Sequence, residues 1–305
     1  MSWSYFPNHK GRVTGLIVAG YGFGASVFNL VATAIVNPTN ASPTVEVVNG
    51  SVTDLFFDET IADRVPSTLR WLALIYIVGS GSGILLMGRV NKAAAPARQA
   101  SLVPFLKRAQ FWLLFTAAFC STAAGLYVAA AYKSFGDLEI DDDKFLALTG
   151  SVASVFNGSF RFLWAQLMEK TSFRTTYLIL LGLQITLMTS LYYVASVKVL
   201  FLIWVALLMC CEGGHFSLFA ALFAVLYGRE LGAKLYGVFF YTFSVAALLS
   251  FVLQFFLVEY VGYLAMFWVF AGLTGVSAGI VLKIDPEKPT QDLDEALLGK
   301  DLSAG

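Results

Sequence analysis

Apolar residues gather into eight long runs, at 13–36, 67–88, 109–132, 145–168, 176–196, 199–227, 235–258 and 263–282. Each is close to the ~20 residues that a helix needs to cross a hydrocarbon core. None shows the strict two-residue alternation of a membrane barrel. Helices that satisfy their own backbone polar groups are then the way these runs span a bilayer. The pattern predicts an all-α integral membrane protein with about eight transmembrane helices. The first run follows His9, Lys10 and Arg12, and Ala32-Thr33-Ala34 is similar to a cleavage site. That run is nevertheless far longer than the ~7–15-residue core of a secretory signal, so it reads as a span.

Composition supports the same class. The 305 residues are 58% apolar and only 13% charged, about half the charge of a soluble domain. Net charge is zero, which leaves no basic surface for nucleic acid. The three cysteines, Cys120, Cys210 and Cys211, all lie inside apolar runs and read as packing residues rather than a disulfide framework or a metal set.

Charge between the runs gives an orientation. The two ends and alternate gaps hold fourteen Lys and Arg residues, and the other gaps, with the first turn of the run 67–88, hold five: Arg64, Arg70, Lys133, Lys144 and Lys198. The positive-inside rule then puts both termini in the cytoplasm of a plasma or internal membrane. The gap 37–66 is external on this reading. It carries two glycosylation sequons, at Asn40 and Asn49; a third match, at Asn157, falls inside a span. The acidic gap 134–144 reads as a solvated external loop. The tail 284–305, which contains Pro286 and Pro289, reads as a mostly disordered cytoplasmic end. The expected organisation is 1–88 as two spans, 89–108 as a central cytoplasmic loop, 109–283 as six spans, and then the tail. Glycine pairs four apart, Gly20/Gly24, Gly79/Gly83 and Gly275/Gly279, are expected to let helix backbones approach closely.

Three ionisable residues lie deep within the runs, more than a turn from either end: Arg161, Glu212 and His215. Such residues are costly in a membrane, and those that stay face a partner, a cavity or a substrate. In the run 145–168, Gly150, Ser154, Asn157, Gly158, Arg161, Trp164 and Ala165 share one helical stripe. That stripe faces protein or water rather than lipid. Arg161 has two readings. It snorkels or forms a structural ion pair, or it offers its planar fork to a carboxylate ligand with Asn157 beside it. Glu212 and His215 are three apart on one face, with Gly213 and Gly214 between them to loosen the helix. They form either a proton-carrying pair or a polar tie to each other or to a neighbouring helix. There is no HExxH, GxSxG or phosphate loop, and His9 and His215 are the only histidines. No enzyme, cofactor or metal site is read.

The stretch from Tyr5 through Pro7, His9 and Arg12 into Gly20, Gly22 and Gly24 resembles the major facilitator superfamily. It is most similar to the branch of oxalate/formate antiporters and monocarboxylate transporters, where such a motif leads into the fifth span. Phe111-Trp112 with Gly125-Leu126 resembles that family's seventh span. Asn157-Gly158-Ser159-Phe160-Arg161, running on to Glu169, Lys170 and Arg174, resembles the eighth span and the loop after it. Gly213-Gly214-His215-Phe216, Tyr227-Gly228 and Leu235-Tyr236-Gly237 resemble the tenth and eleventh. Ala165 and Glu169 stand where the family has Gly and Asp. The run 235–258 lacks the lysine that some dicarboxylate exchangers use beside the arginine.

The resemblance implies a complete C-terminal six-helix half plus two helices of the N-terminal half, with the first four spans absent. It implies alternating-access transport of small organic anions such as monocarboxylates, with Arg161 and Asn157 at the substrate and Glu212 and His215 coupling protons. The short length also admits a truncated, non-transporting membrane protein: a scaffold, a homo-oligomer, or a partner of a full-length paralogue.

Overall fold

A computed structural model describes residues 10–49, 52–86 and 102–284, together with Pro286. The start of the opening motif (5–9), most of the central loop (87–101) and the tail beyond Pro286 lie outside the described residues. The chain is helical, as its apolar runs require. The long helices are α1 (Lys10–Val36), α3 (Val65–Leu86), α5 (Ala109–Glu139), α6 (Asp143–Lys170), α7 (Phe173–Val194), α8 (Lys198–Phe239), α9 (Tyr241–Phe256) and α10 (Val258–Lys283). Two one-turn helices, α2 (Glu59–Ala62) and α4 (Val103–Leu106), also lie among the described residues. Among the described residues, six helical segments are long and apolar enough to cross a membrane, so this is a multi-pass integral membrane protein. The predicted span 145–168 falls in α6. That helix has the length, but its polar stripe makes it less apolar than the six.

Local chemistry sets the boundaries. The Asp142 side chain accepts from Phe145 N at the start of α6, and Ser172 accepts from Thr175 N at the start of α7, each satisfying an otherwise unpaired helical N–H. Two spans begin just after a glycine in left-handed backbone, Gly228 (φ 71°) within α8 and Gly262 (φ 75°) within α10, a conformation that a Cβ would strain. The gap 37–66 is not a bare loop. It holds an antiparallel hairpin, β1 (Val45–Asn49) and β2 (Val52–Phe56), with Val45 opposite Phe56. Asp58 follows and caps α2 through Thr60 N and Ile61 N.

Helices α5 to α10 share one core. Phe111, Phe219, Phe223 and Phe239 meet edge-on or tilted. Further along α5, Tyr127 stacks on Phe270 with ring centroids 4.4 Å apart. Helix α6 lies between α8 and α1, and so links the shared core to the first helix.

The glycines that allow close approach are not the predicted pairs. A Cβ on Gly20, Gly24, Gly79, Gly83, Gly275 or Gly279 would meet nothing within 4 Å among the described residues. At Gly213 it would fall 2.2 Å from the backbone oxygen of Asn157, and at Gly125 it would fall 2.2 Å from Glu212 Oε2. Gly213 and Gly214 therefore bring α8 against α6 and α7. They do not loosen α8, whose only non-helical residue is Gly228.

Candidate functional site

Gly213 seats α8 on the backbone of Asn157, which puts the predicted polar stripe of α6 along α8. Arg161 is half-buried. Its Nη2 donates to Asn157 Oδ1 (2.8 Å), one turn back along α6, and its guanidinium lies 4.7 Å from the ring centre of Phe216 on α8. The guanidinium is therefore turned toward the N-terminal end of its helix, as side chains on a helix lean. Phe216 is a site residue that sequence reasoning passed over. Arg161 and Phe216 meet because α6 and α8 run parallel, a relation that no spacing within one helix reveals. Trp164 Nε1 donates to the carbonyl of Cys210 (3.0 Å) and holds the register one turn further on.

Glu212 and His215 are both buried, but they do not pair. Nδ1 of His215 faces Tyr177 Oη (3.2 Å), and Nε2 faces Gln184 Oε1 (2.8 Å). Gln184 Nε2 donates to the backbone oxygen of Ser121 (2.7 Å) and to Thr274 Oγ1 (2.9 Å). Tyr177 Oη also meets Ser121 Oγ at 2.6 Å. His215 thus belongs to a four-helix network of α5, α7, α8 and α10. Both carboxyl oxygens of Glu212 lack a hydrogen-bond partner among the described residues, and the group packs over Gly125. Three residues along a helix turn a side chain by about 60°. That suffices to send one group toward α5 and the other toward α7.

The network fixes one proton. Ser121 O can only accept, so Gln184 presents its NH₂ there and its Oε1 to His215, and Nε2 of His215 carries hydrogen. Nδ1 accepts from Tyr177 when His215 holds one proton. It donates to Tyr177 Oη when His215 holds two, because the Tyr177 hydroxyl can turn to Ser121 Oγ and that of Ser121 to Ala117 O (2.8 Å). Both states keep every member bonded.

At the other end of the bundle, the turn after α1 is tied to the α5–α6 connection. Lys133 Nζ is 2.6 Å from Asp143 Oδ1, and Asn37 Nδ2 donates to Asp143 Oδ2 (2.7 Å). Lys198 pairs with Asp142 (2.8 Å) and holds that carboxyl below its usual range. Asn40, one of the two predicted glycosylation residues, donates through Nδ2 to Asp142 Oδ1 (3.1 Å) and accepts from Lys144 N (2.6 Å). Its amide nitrogen, the atom a glycan would join, is engaged inside this tie. Asn49 lies in β1, opposite Val52. The acidic gap 134–144 is therefore partly a joint rather than a freely solvated loop.

A sequence profile of the Major Facilitator Superfamily matches residues 142–303, just over half of the chain. The chain belongs to the major facilitator superfamily. Two curated proteins agree with this placement. Apicoplast pyruvate carrier 1 of Toxoplasma gondii is 27% identical over 289 residues, covering 78% of this chain and 52% of the carrier. The oxalate:formate antiporter of Oxalobacter formigenes is 22% identical over 236 residues, covering 77% of this chain and 52% of the antiporter. This major facilitator chain spans about half the length of these curated relatives. Neither the family nor either relative carries the name of an enzyme.

Proposed function

We propose that the chain acts in secondary transport of small organic anions of the monocarboxylate type by alternating access. Arg161 binds the carboxylate, Asn157 orients the guanidinium, and Glu212 and His215 carry protons as separate sites. Both termini face the cytoplasm. The observation that carries the reading is the half-buried Arg161 fork. It is braced by Asn157 on one side and Phe216 on the other, on a stripe of small and polar residues between packed helices. A guanidinium held in this way suits a carboxylate, because its planar donors are ordered before the ligand arrives. The names of the two relatives, a pyruvate carrier and an oxalate:formate antiporter, support a short acid as the cargo.

The test is uptake of labelled pyruvate or formate into liposomes that contain the purified chain. Arg161→Ala and Arg161→Lys are expected to lower uptake roughly 10- to 150-fold while the protein still inserts and folds, since a charged hydrogen-bond pair contributes roughly 1.5–3 kcal/mol and lysine cannot reproduce the fork. Undiminished uptake by either variant rejects the assignment. No uptake by the wild-type chain alone, with co-purification of a longer paralogue, favours the partner reading.

A further inference from the structure

Two cavities follow one another along α1. One, of about 260 Å³, is lined by Ala25, Asn29, Tyr132, Gly150, Ser154 and Met209 among others. The next, of about 220 Å³, is lined by Asn29, Thr33, Asn37, Lys133 and Asp143, with Ile61 of α2 in its wall. Asn29 borders both. Ala25, Asn29 and Thr33 of α1, with Asn37 just beyond it, recur at four-residue spacing and so form one stripe. Ser154, Gly150, Ala147 and Asp143 form the facing stripe of α6. The Asn29 side chain crosses from one stripe to the other. Its Nδ2 donates to Ala147 O (2.7 Å) and to the phenol oxygen of Tyr132 on α5. A Cβ on Gly150 would lie 2.1 Å from Tyr132 Oη and 2.7 Å from Asn29 Nδ2, so glycine at this position lets the bridge seat on α6.

This bridge is built to part. Ser151 Oγ donates across the seam to Ser26 O (3.0 Å) and also to Ala147 O of its own helix (2.9 Å), so it keeps a partner when α1 moves away. Ala147 O, on losing Asn29, keeps Ser151. Ser26 O lies inside α1 and keeps its helical N–H. All of these groups are uncharged. The cost of breaking a hydrogen bond falls mainly on groups left buried and unpaired, and here the helix groups all retain partners. The bridge also stands apart from the proposed carboxylate site. The Arg161 guanidinium is held at Asn157, seven residues along α6 from Gly150, about 10 Å of rise. The larger cavity lies between the two levels. On the other side of the bridge, the smaller cavity ends at the tie of Lys133 and Asn37 to Asp143.

We infer that the two cavities are chambers of one passage from Arg161 toward the Val36 end of α1, and that Asn29, seated against Tyr132 and Gly150, is the gate between them. The gate opens as α1 parts from α6, a movement that also draws Asn37 away from Asp143. The inference rests on the proposed transport role, which supplies the anion that passes. The walls suit such a cargo. Asn29, Thr33, Tyr132 and Ser154 offer neutral polar groups along the way, and Lys133 stands in the smaller chamber.

The experiment measures how often the seam opens. Ser151 is 2% exposed and faces Ser26 and Asn29 of α1, so a polar thiol reagent reaches Ser151→Cys only when α1 has moved off α6. Labelling with a charged methanethiosulfonate is followed by mass spectrometry on the purified chain in nanodiscs. Buried Cys120, Cys210 and Cys211 serve as the internal reference. Ser151→Cys is expected to label faster than these three. In that background, Asn29→Ala is expected to raise its rate about tenfold, the effect of about one lost hydrogen bond. Gly150→Ala removes no hydrogen-bonding side chain but wedges Tyr132 and Asn29 off α6, and is expected to raise the rate severalfold. The native cysteines should stay slow in both variants. Labelling of Ser151→Cys no faster than the native cysteines, an unchanged rate in either variant, or native cysteines that speed up alongside it overturns the gate. No carboxylate is present in this assay. A chain that takes up no pyruvate therefore rejects the proposed function, while the gate stands or falls on its labelling.

Discussion

His215 shows how much one amide can decide. Gln184 is anchored by a backbone oxygen and a threonine hydroxyl, so the tautomer of His215 is dictated two bonds away. The expected ¹⁵N spectrum of histidine-labelled protein has His215 Nε2 protonated and Nδ1 as the titrating atom. Only two histidines are present, so His215→Gln assigns the signals, and a spectrum with the proton on Nδ1 alone contradicts the network. Glycines are as specific. Gly213→Ala places a methyl against a backbone oxygen that cannot move aside, and should cost about 1–3 kcal/mol. Gly275→Ala meets open space and should leave the melting temperature in detergent almost unchanged. Arg161, Glu212 and His215 stood out in the sequence because charge is rare in apolar runs. Gln184, Tyr177 and Phe216 did not, because uncharged polar and aromatic residues are common there. Their roles arise only when other helices meet them.

At the scale of elements, spans were legible to within a few residues, since length and apolarity are properties of the chain itself. Packing partners were not. Glycines at four-residue spacing looked like contact faces, yet the contacts formed at Gly125, Gly150 and Gly213. A contact needs a matching shape on another helix, and spacing alone does not supply one. The polar joint between the turn after α1 and the α5–α6 connection was read only as an acidic gap. Its carboxylates make it sensitive to acid. The folded-state value of Asp142 is lowered, chiefly by Lys198. Its contribution to stability is therefore present above the ordinary carboxylate range and is lost as pH falls through the lowered value. Hydrogen exchange at 144–146 should accelerate as pH falls below the ordinary carboxylate range, and Asp142→Asn should remove that dependence.

Across the whole molecule, burial is uneven. The core joins α5 to α10, whereas α3 shows Leu69, Ile77, Leu85 and Leu86 largely exposed. Local stability follows buried contacts. Helices α5–α10 should therefore melt in one step, with α3 losing exchange protection at a lower temperature; a single shared transition would contradict this. Family membership follows from matched sequence over 142–303, the portion that also holds most of the shared core.

One arrangement ties these scales together. Helix α6 is gripped along one side by α1, through Asn29 to Ala147 O and Ser151 to Ser26 O, and carries Arg161 toward α8 on the other. Among the described residues, no other helix stands between the two contacts. In the proposed transport cycle, a tilt of α1 would therefore act on the guanidinium through α6 alone.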